Sequence, residues 1–533
     1  MKKLIISIHL AFCIVQLSAQ NHYARFKSID VLHYIFEIHL NDSTDYIKGK
    51  ANVLARFLQP ANSIELDLVS FDSSSEKGME VSSVEALRRI SYYRHEKNKL
   101  NITFADSIMQ NETVNIQISY SGIPNDGLII STNKFGDRTF FGDNWPDRAH
   151  NWLPCVDHPS DKATVEFRVY APERYQVISN GTQMEETNLE NAYKLSRWQE
   201  MTPIATKLMV VGIARFAVLN NGNVNGTPVS TWVFPQNKNE GFTDYAVGRE
   251  PIAYFSELIG PYSYEKLAHV QSKTRYGGME NASCIFYAER TVNGKNNNAG
   301  LIAHETTHQW FGNSVTEQNW HHIWLSEGFA TYLTHFFMRN KFGDEVFKEG
   351  LASDRRRVIR YAERNFAPII DTTVTNYSTL VNPNSYQKAS WFIHMLNEEL
   401  GDSLFLSGLR LYYLIYRDST ALTKDFQRVM ETVSNRNLDS FFHEWLYQPG
   451  YPKIKTDWKR DKDKTITLNI SQIQENYLFH FPLEIEFVTE NGESFIRKFE
   501  MDDWKKAFSF KTVGKVSAIR LDPNVKLLFE EVH

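Results

Sequence analysis

Cysteine is scarce in this chain, and an excess of one charge and long apolar runs are absent. Three cysteines in 533 residues exclude a disulfide scaffold, and we expect Cys155 and Cys284 to be buried free thiols. A formal net charge of −5 gives no reason to expect nucleic acid as a partner. The composition, with 42 % hydrophobic and 23 % charged residues, is typical of a globular protein. The length predicts about three or four domains.

The first residues have the pattern of a secretory signal. Two lysines precede an apolar run at residues 4–15, and a cleavage zone follows at residues 17–19. The run is too short to span a bilayer, which takes about 20 residues, and no other stretch is long and apolar enough. We therefore predict a signal peptide at residues 1–19 and an exported protein, periplasmic or secreted. The bulky Phe12 argues against lipid anchoring through Cys13.

Residues 20–219 have the pattern of an all-β domain. Short runs at 34–40, 63–68 and 113–118 alternate in polarity or carry β-branched residues, which indicates strands. Asn180-Gly181 is a strong signal for a hairpin turn. We expect a saddle or a sandwich of sheets here.

Apolar residues take helical spacing after about residue 240. The predicted helices are 247–259, 347–362, 389–400, 404–416 and 438–447. Residues 220–449 therefore predict a mainly helical domain. Residues 450–533 return to strand patterns, with a hairpin turn at Glu490-Asn491-Gly492, and predict a small β-sandwich. The fold class predicted for the whole chain is multi-domain α+β.

The strongest chemical signal is His304-Glu305-Thr306-Thr307-His308. Positions i and i+4 of a helix share one face, so the two histidines would aim their imidazoles at one point. Catalytic zinc takes three protein ligands, and Glu327, early in the next predicted helix, would be the third. Glu305 is placed to take a proton from the attacking water. We predict one zinc ion per chain; the alternative is a chance match on an amphipathic helix.

Two further clusters gain meaning beside this motif. Paired glycines in the box from Gly277 to Asn281 allow a backbone edge to approach a ligand closely, and Glu280 would put a carboxylate beside it. The alternative is a tight turn with an exposed acid. Tyr386 opens a predicted helix, and its hydroxyl would donate to the oxyanion of a tetrahedral intermediate. The alternative is a tyrosine that only packs.

These motifs together resemble the aminopeptidase N and leukotriene hydrolase family of zinc metallopeptidases, the gluzincins. The resemblance also covers residues 153–159 and 162–164 and extends over nearly the whole chain. It implies an N-terminal β saddle, a thermolysin-like catalytic domain at 220–449 and a small C-terminal β-sandwich.

The same resemblance implies a role for each motif residue. The zinc ligands would be His304, His308 and Glu327, with Glu305 as general base and Tyr386 as transition-state stabiliser. The substrate-binding residues would be Gly277, Gly278, Met279, Glu280 and Asn281. The first three would form a strand edge beside the peptide, and Glu280 would bind its free α-amine. An ammonium fixed near the metal presents only the first peptide bond for attack, which is sufficient for exopeptidase behaviour.

The sequence also departs from the family pattern. A glutamine about twelve residues before Cys155 usually helps to hold the amine, and here Asp143 or Asn144 is the candidate replacement. His150 stands where an arginine is common. His322 replaces a frequent aspartate, either as support for the site or as a solvated side chain. We also expect a more open site, because no large helical domain follows residue 450 as it does in many relatives.

The function predicted from these motifs is zinc-dependent hydrolysis of the N-terminal bond of peptides with a free N-terminus. Nucleic-acid partners and a transmembrane segment after signal removal are not expected. An endopeptidase or an epoxide-hydrolase relative stays open, although Glu280 argues against the former. A catalytically silent peptide-binding protein on the same fold is the third interpretation, and the intact set of ligands, base and tyrosine argues against it.

Overall fold

Strands dominate the N-terminal part of the protein, for which a computed structural model describes residues 27–533. The strands are β1 (Ile29–His39), β2 (Ile47–Phe57), β3 (Ala61–Asp67), β4 (Gly78–Ala86), β5 (Ile90–Glu96), β6 (Lys99–Ile108), β7 (Thr113–Ile123), β8 (Leu128–Thr132), β9 (Arg138–Gly142), β10 (Lys162–Pro172), β11 (Gln176–Ser179), β12 (Thr182–Asn188), β13 (Tyr193–Ala205) and β14 (Val211–Ala214). The predicted signal at residues 1–19 lies outside the described residues, so signal, export and lipid-anchor predictions stay predictions.

Three sheets make up this β domain. The largest has the order β12-β13-β10-β1-β2-β7-β4, and smaller sheets have the orders β11-β14-β9-β8 and β3-β6-β5. Burial alternates along β1 and β2, so one face of the large sheet supplies the core while the other meets solvent. The alternation of polar and apolar residues that predicted strands at 34–40 and 113–118 corresponds to this alternation of burial.

The hairpin predicted at Asn180-Gly181 is wrong. The strand before it, β11, pairs with β14, and the strand after it, β12, pairs with β13 of the large sheet. Gly181 has a φ of +70°, as a turn glycine does. Asn180 is buried, and its side chain bonds the carbonyls of Leu208 and Ala282. The local turn signal is real, but the chain uses it to cross between sheets.

The central region combines helices with a mixed sheet. The helices are α1 (Lys238–Asp244), α2 (Arg249–Leu258), α3 (Ala299–His308), α4 (Trp324–Phe342), α5 (Asp344–Ala362), α6 (Ala389–Leu400), α7 (Asp402–Tyr416), α8 (Thr423–Ser434) and α9 (Asp439–Phe442). The strands are β15 (Ala217–Val224), β16 (Thr227–Val233), β17 (Leu267–Ser272), β18 (Gly278–Met279), β19 (Cys284–Ala288), β20 (Val315–Glu317) and β21 (Ser419–Ala421). Five of them form one sheet in the order β15-β16-β17-β19-β18, which leaves β18 at an edge.

This five-stranded sheet belongs to two hydrophobic cores at once. Ala268, Val270 and Phe286 join the core of the β domain, whereas Ile285 and Tyr287 join the core of the helices. Both faces of β17 and β19 are therefore buried, and every residue of these strands is buried. Because it packs on both sides, the sheet holds its edge strand β18 in a fixed place.

The C-terminal region is a β-sandwich, as predicted. Its strands are β22 (Lys453–Arg460), β23 (Thr465–Gln472), β24 (Phe481–Thr489), β25 (Ser494–Met501), β26 (Lys505–Lys511), β27 (Val516–Leu521) and β28 (Glu530–Glu531). They form sheets of order β26-β23-β22-β28 and β25-β24-β27. The hairpin predicted at residues 490–492 is confirmed, since it joins the antiparallel pair β24 and β25. Within residues 27–533, no helix is both long and apolar enough to cross a membrane.

Candidate active site

Two helices bring the predicted metal ligands together. His304 and His308 lie in α3, with their Nε2 atoms 3.2 Å apart, and Glu327 lies in the first turn of α4. The Oε2 atom of Glu327 is 3.4 Å from His304 Nε2 and 3.3 Å from His308 Nε2. Two imidazoles and a carboxylate that converge in this way are the donor set of a catalytic zinc site.

The segment after α3 orients the second histidine. His308 Nδ1 lies 3.2 Å from the Phe311 carbonyl and 3.0 Å from the Ser326 hydroxyl. A carbonyl only accepts, so in the neutral ring this contact keeps the proton on Nδ1 and leaves Nε2 available to a metal. A Cβ at Gly312, whose φ is +118°, would lie 2.2 Å from the Ser326 hydroxyl. Only glycine therefore allows the turn and this support of His308.

The charged groups of the site shift one another's pKa values. Burial lowers the pKa of His308, but the carboxylates of Glu327 and Glu280 outweigh burial and raise it to about 10. Burial raises the pKa of Glu327, but the two imidazoles outweigh it and hold the pKa well below its usual range. The buried carboxylates thus favour a positive charge at this point, and a divalent cation would supply it in place of the imidazole proton.

The edge strand β18 runs directly beside Glu305. A Cβ at Gly278 would lie 2.3 Å from the Glu305 Oε1 atom, so the glycine allows the backbone to pass close to this carboxylate. Glu305 is buried, and no other described side chain or backbone group forms a hydrogen bond or ion pair with its carboxylate. Burial raises its pKa, and the nearby Glu280 and Glu327 add to the rise, although His308 opposes it.

Glu280 and Asn281 follow β18 and are buried. One carboxylate oxygen of Glu280 lies within 4.8 Å of both a Glu305 oxygen and a His308 nitrogen. Glu280 Oε1 has no hydrogen-bond partner among the described residues, and neither does either side-chain atom of Asn281. Glu280 lines the cleft at the metal ligands, whereas Asn281 does not. The tight turn with an exposed acid, the alternative weighed for Glu280, is therefore wrong.

Tyr386 faces the metal ligands from a third element. It lies in a π-helical turn, Asn384–Lys388, which precedes α6, so the helix starts three residues later than the tyrosine. Its ring stacks on the His304 ring at 6.0 Å between centroids and an angle of 8°. Burial raises the pKa of its hydroxyl well above the usual value, and Glu327 adds to the rise, so the group is a proton donor at neutral pH.

A cleft of about 330 Å³ joins these side chains. Besides the predicted residues, its wall contains Trp145, Tyr276, Leu301 and Val381, none of which the motifs assigned to the site. Trp145 and Tyr276 pack edge to face, with centroids 5.9 Å apart. Tyr276 directly precedes Gly277 in the chain, and this position next to the glycine box is the one sequence signal that could have identified it.

The two candidates for amine binding in the β domain do not line the cleft. Asp143 is fully buried and pairs with the Arg148 guanidinium at 2.5 Å. Asn144 uses its amide on the Met209 carbonyl and on the Trp152 indole nitrogen. Their polar atoms are occupied by the protein itself, so neither replaces the glutamine of the family.

The two unusual histidines have structural partners. His150 Nδ1 lies 2.7 Å from Asp157, and His322 Nδ1 lies 2.7 Å from the Thr423 hydroxyl. Burial lowers the pKa of His322 to about 4, so it is neutral at pH 7. Cys155 and Cys284, the cysteines within residues 27–533, are buried and free, as predicted.

Sequence comparison assigns this arrangement to a family. Residues 30–208 match the Peptidase M1 N-terminal domain, and residues 245–445 match the Peptidase family M1 domain. The chain belongs to the M1 family of peptidases. Both matches fall on the domains that form the cleft, and the M1 family is that of the aminopeptidase N-type gluzincins.

Named M1 relatives are similar over part of their length. Glutamyl aminopeptidase of Bos taurus is 26 % identical over 59 % of this chain and 34 % of its own length. Probable aminopeptidase 2 of Sulfurisphaera tokodaii is 27 % identical over 57 % of this chain and 41 % of its own. Aminopeptidase A of Gloydius brevicauda is 23 % identical over 80 % of this chain and 47 % of its own length. This chain thus spans between a third and a half of these relatives.

Proposed function

We propose that this protein is a zinc-dependent aminopeptidase that hydrolyses the first peptide bond of substrates with a free N-terminus. The observation that carries the proposal is the buried carboxylate of Glu280, which lacks a partner at Oε1 and stands within 4.8 Å of Glu305 and His308. Burying an unpaired carboxylate is costly, so a fold that keeps one beside its metal ligands reserves it for a cation from outside.

The donor set fits zinc. His304, His308 and Glu327 would hold one ion per chain, and their ligand atoms lie within 4.8 Å of one another. Glu327 Oε2 is buried without a hydrogen-bond partner, although both imidazoles are near, so an electron pair is available there. When bound, zinc would polarise the scissile carbonyl and acidify the attacking water.

The chain's own residues would then select and cleave the first bond. Glu280 binds the ammonium group, which sets the first carbonyl beside Glu305. Glu305 takes the proton of the attacking water and passes it to the leaving amine, a role that its free carboxylate allows. The Tyr386 hydroxyl donates to the oxyanion. Gly278 lets the substrate backbone lie along the open edge of β18.

Trp145 and Tyr276 give the cleft an aromatic wall. We propose that this wall contacts the N-terminal side chain of the substrate and favours apolar residues at that place. The named relatives include glutamyl aminopeptidases, but no described arginine or lysine lines this cleft to match an acidic side chain.

A mass-spectrometric time course on one decapeptide tests the function. The peptide is supplied with a free N-terminus and with an N-acetyl group, and Glu305→Gln is the control enzyme. Stepwise loss of N-terminal residues from the free form alone is the expected result. Internal cleavage of both forms would identify an endopeptidase. Binding of the peptide without any cleavage, in protein that holds zinc, would favour the silent binding protein.

Export is a further proposal, which rests on the pattern of residues 1–19. Expression of the full chain in a bacterial host, followed by fractionation and N-terminal sequencing, tests it. A mature start near residue 20 in the periplasm or medium is expected. An uncleaved chain confined to the cytosol would contradict it.

A further inference from the structure

Two amide side chains behind the cleft hold the residue that carries the amine-binding carboxylate. Gln309 donates from Nε2 to the Glu280 carbonyl at 2.8 Å, and Asn313 donates from Nδ2 to the same oxygen at 2.6 Å. Gln309 also accepts, at Oε1, from the Ser283 backbone nitrogen at 2.9 Å. Both side chains are at most 1 % exposed. The loop after β18 is thus clamped at both ends of its turn.

Nothing in the sheet would replace these bonds. Strand β18 ends at Met279, so Glu280 lies outside the ladder that pairs Gly278 and Met279 with β19. A backbone carbonyl has two lone pairs, and here both have donors from side chains. One donor would satisfy the buried carbonyl, and the second restricts its direction as well.

The clamp belongs to the same segment as the metal ligands. Gln309 directly follows His308, and Asn313 ends the turn that supports the His308 ring. The Asn313 carbonyl in turn accepts from Lys162 Nζ of β10 at 3.0 Å. A chain of hydrogen bonds therefore runs from the β domain through the metal segment to Glu280.

From this geometry we propose that Gln309 and Asn313 are positioning residues that fix the distance between the amine anchor and the metal ligands. The proposal rests on the proposed function, since it assumes that Glu280 binds the substrate ammonium. With both bonds in place, an ammonium on Glu280 puts the first carbonyl at the metal. Without them, the Glu280 backbone is free to shift, and a misplacement of about 1 Å is enough to lose productive alignment.

The test measures binding rather than turnover. Zinc-loaded Glu305→Gln protein is titrated calorimetrically with trialanine and with N-acetyl-trialanine. Adding Gln309→Met should weaken trialanine binding by about tenfold, since it removes a bond that positions a charged contact, and leave the acetylated peptide unchanged.

A chemically matched control separates positioning from general damage. Gln271 is also fully buried in this domain, but it bonds the Phe234 nitrogen and the Glu289 carbonyl. Gln271→Met therefore makes the same chemical change away from Glu280, and the ratio of affinities for the two peptides should stay at the parent value. A similar fall in that ratio for Gln271→Met would overturn the proposal.

A double-mutant cycle gives the sharpest outcome. If Gln309 acts through Glu280, then Gln309→Met has no further effect on trialanine binding once Glu280→Gln is present. An undiminished tenfold loss in the Glu280→Gln background would show a merely structural role. A parent protein that binds both peptides equally would refute the proposed function instead, so the two failures are distinguishable.

Discussion

Two cavities of this protein differ in whether their carboxylates have partners. The larger one, about 550 Å³, lies between the helices and the C-terminal sandwich and is lined by seven carboxylates. Each is paired with a lysine, arginine or histidine; the seven are Glu398, Glu399, Glu444, Glu484, Glu500, Asp502 and Asp522. The smaller cleft, about 330 Å³, contains Glu280, Glu305 and Glu327.

In the smaller cleft the protein leaves carboxylate oxygens without hydrogen-bond partners. Glu280 Oε1 is buried without a hydrogen-bond partner, and Glu305 has no hydrogen-bond or ion-pair partner among the described residues, whereas Glu327 Oε2 faces the two imidazoles at 3.3 and 3.4 Å. Unpaired buried carboxylates cost stability, whereas paired ones hold a structure together. Size alone would have selected the wrong cavity. The presence of carboxylates without partners distinguishes the cleft that holds the metal ligands.

The largest effect is expected for the general base. Glu305→Gln should lower kcat for a free-amine peptide by at least about 10³-fold, because the group that moves the proton is lost. Zinc content, measured by elemental analysis, should stay at one per chain. The matched change in the larger cavity, Glu444→Gln, should leave kcat within about twofold, as expected for a distant surface-cavity pair. Equal losses in the two variants would break the comparison.

A smaller loss is expected for the oxyanion donor. Tyr386→Phe removes one hydroxyl and keeps the ring that stacks on His304. We expect kcat to fall by about 10²-fold with KM changed little, since the hydrogen bond forms only in the transition state. Steady-state kinetics on an alanyl anilide measures both constants. A rise in KM with unchanged kcat would assign the tyrosine to ground-state binding instead.

Next in size is the amine anchor. Glu280→Gln should lower kcat/KM for free-amine substrates by about 10- to 100-fold, the range for a lost hydrogen bond to a charged group. Glu484→Gln, in the wall of the larger cavity, is the control and should not change it. The affinity for an N-acetyl peptide, measured as an inhibition constant because this peptide is not expected to be cleaved, should not change. A parallel loss for free and acetylated peptides would remove Glu280 from amine recognition.

The metal-free protein should show the charge of the cleft in its pH dependence. The pKa of His308 is raised to about 10 from an ordinary 6.5, so its contribution to stability is complete below about pH 6.5 and is lost as pH rises towards 10. The melting-temperature difference between wild type and His308→Gln, both metal-free, should shrink over that interval. Zinc should stabilise wild type more at pH 8 than at pH 6, because binding needs a neutral imidazole. A constant difference would contradict the assigned contact with Glu327.

Sequence periodicity predicted those parts of the fold that bury one face. The spacing at 404–416 matches α7, which buries one face, and the predicted strand 113–118 lies within β7, whose burial alternates. Strands β17 and β19 were not predicted, because they are buried on both faces and lack alternation. The strand–turn–strand signal at Asn180-Gly181 is local, whereas the pairing of its flanking strands is set by distant parts of the chain.

The residues of the site likewise fall into those that the sequence predicts and those that it does not. Helical geometry predicts that His304 and His308 share a face, and a glycine box predicts a close backbone approach; the structure has both features. No rule of sequence spacing predicts that Trp145 of the β domain lines the cleft. Nor does one predict that Asp143 forms an ion pair with Arg148. The position of Trp145 comes from packing between domains and the Asp143–Arg148 pair from the folding of one loop of the β domain, and both are visible only in three dimensions.

The most direct test of the comparison is the apparent melting temperature of two metal-free variants at pH 8. Neutralising an unpaired carboxylate should stabilise, so Glu305→Gln should melt about 1 to 3 °C above wild type. Removing a carboxylate that is fully hydrogen-bonded should destabilise, so Glu444→Gln, which loses one of the two oxygens that contact the His480 backbone nitrogen and Nδ1, should melt below wild type by a similar amount. Opposite signs are the prediction. A lower melting temperature for Glu305→Gln would contradict an unpaired Glu305 carboxylate that the cleft keeps at the expense of stability.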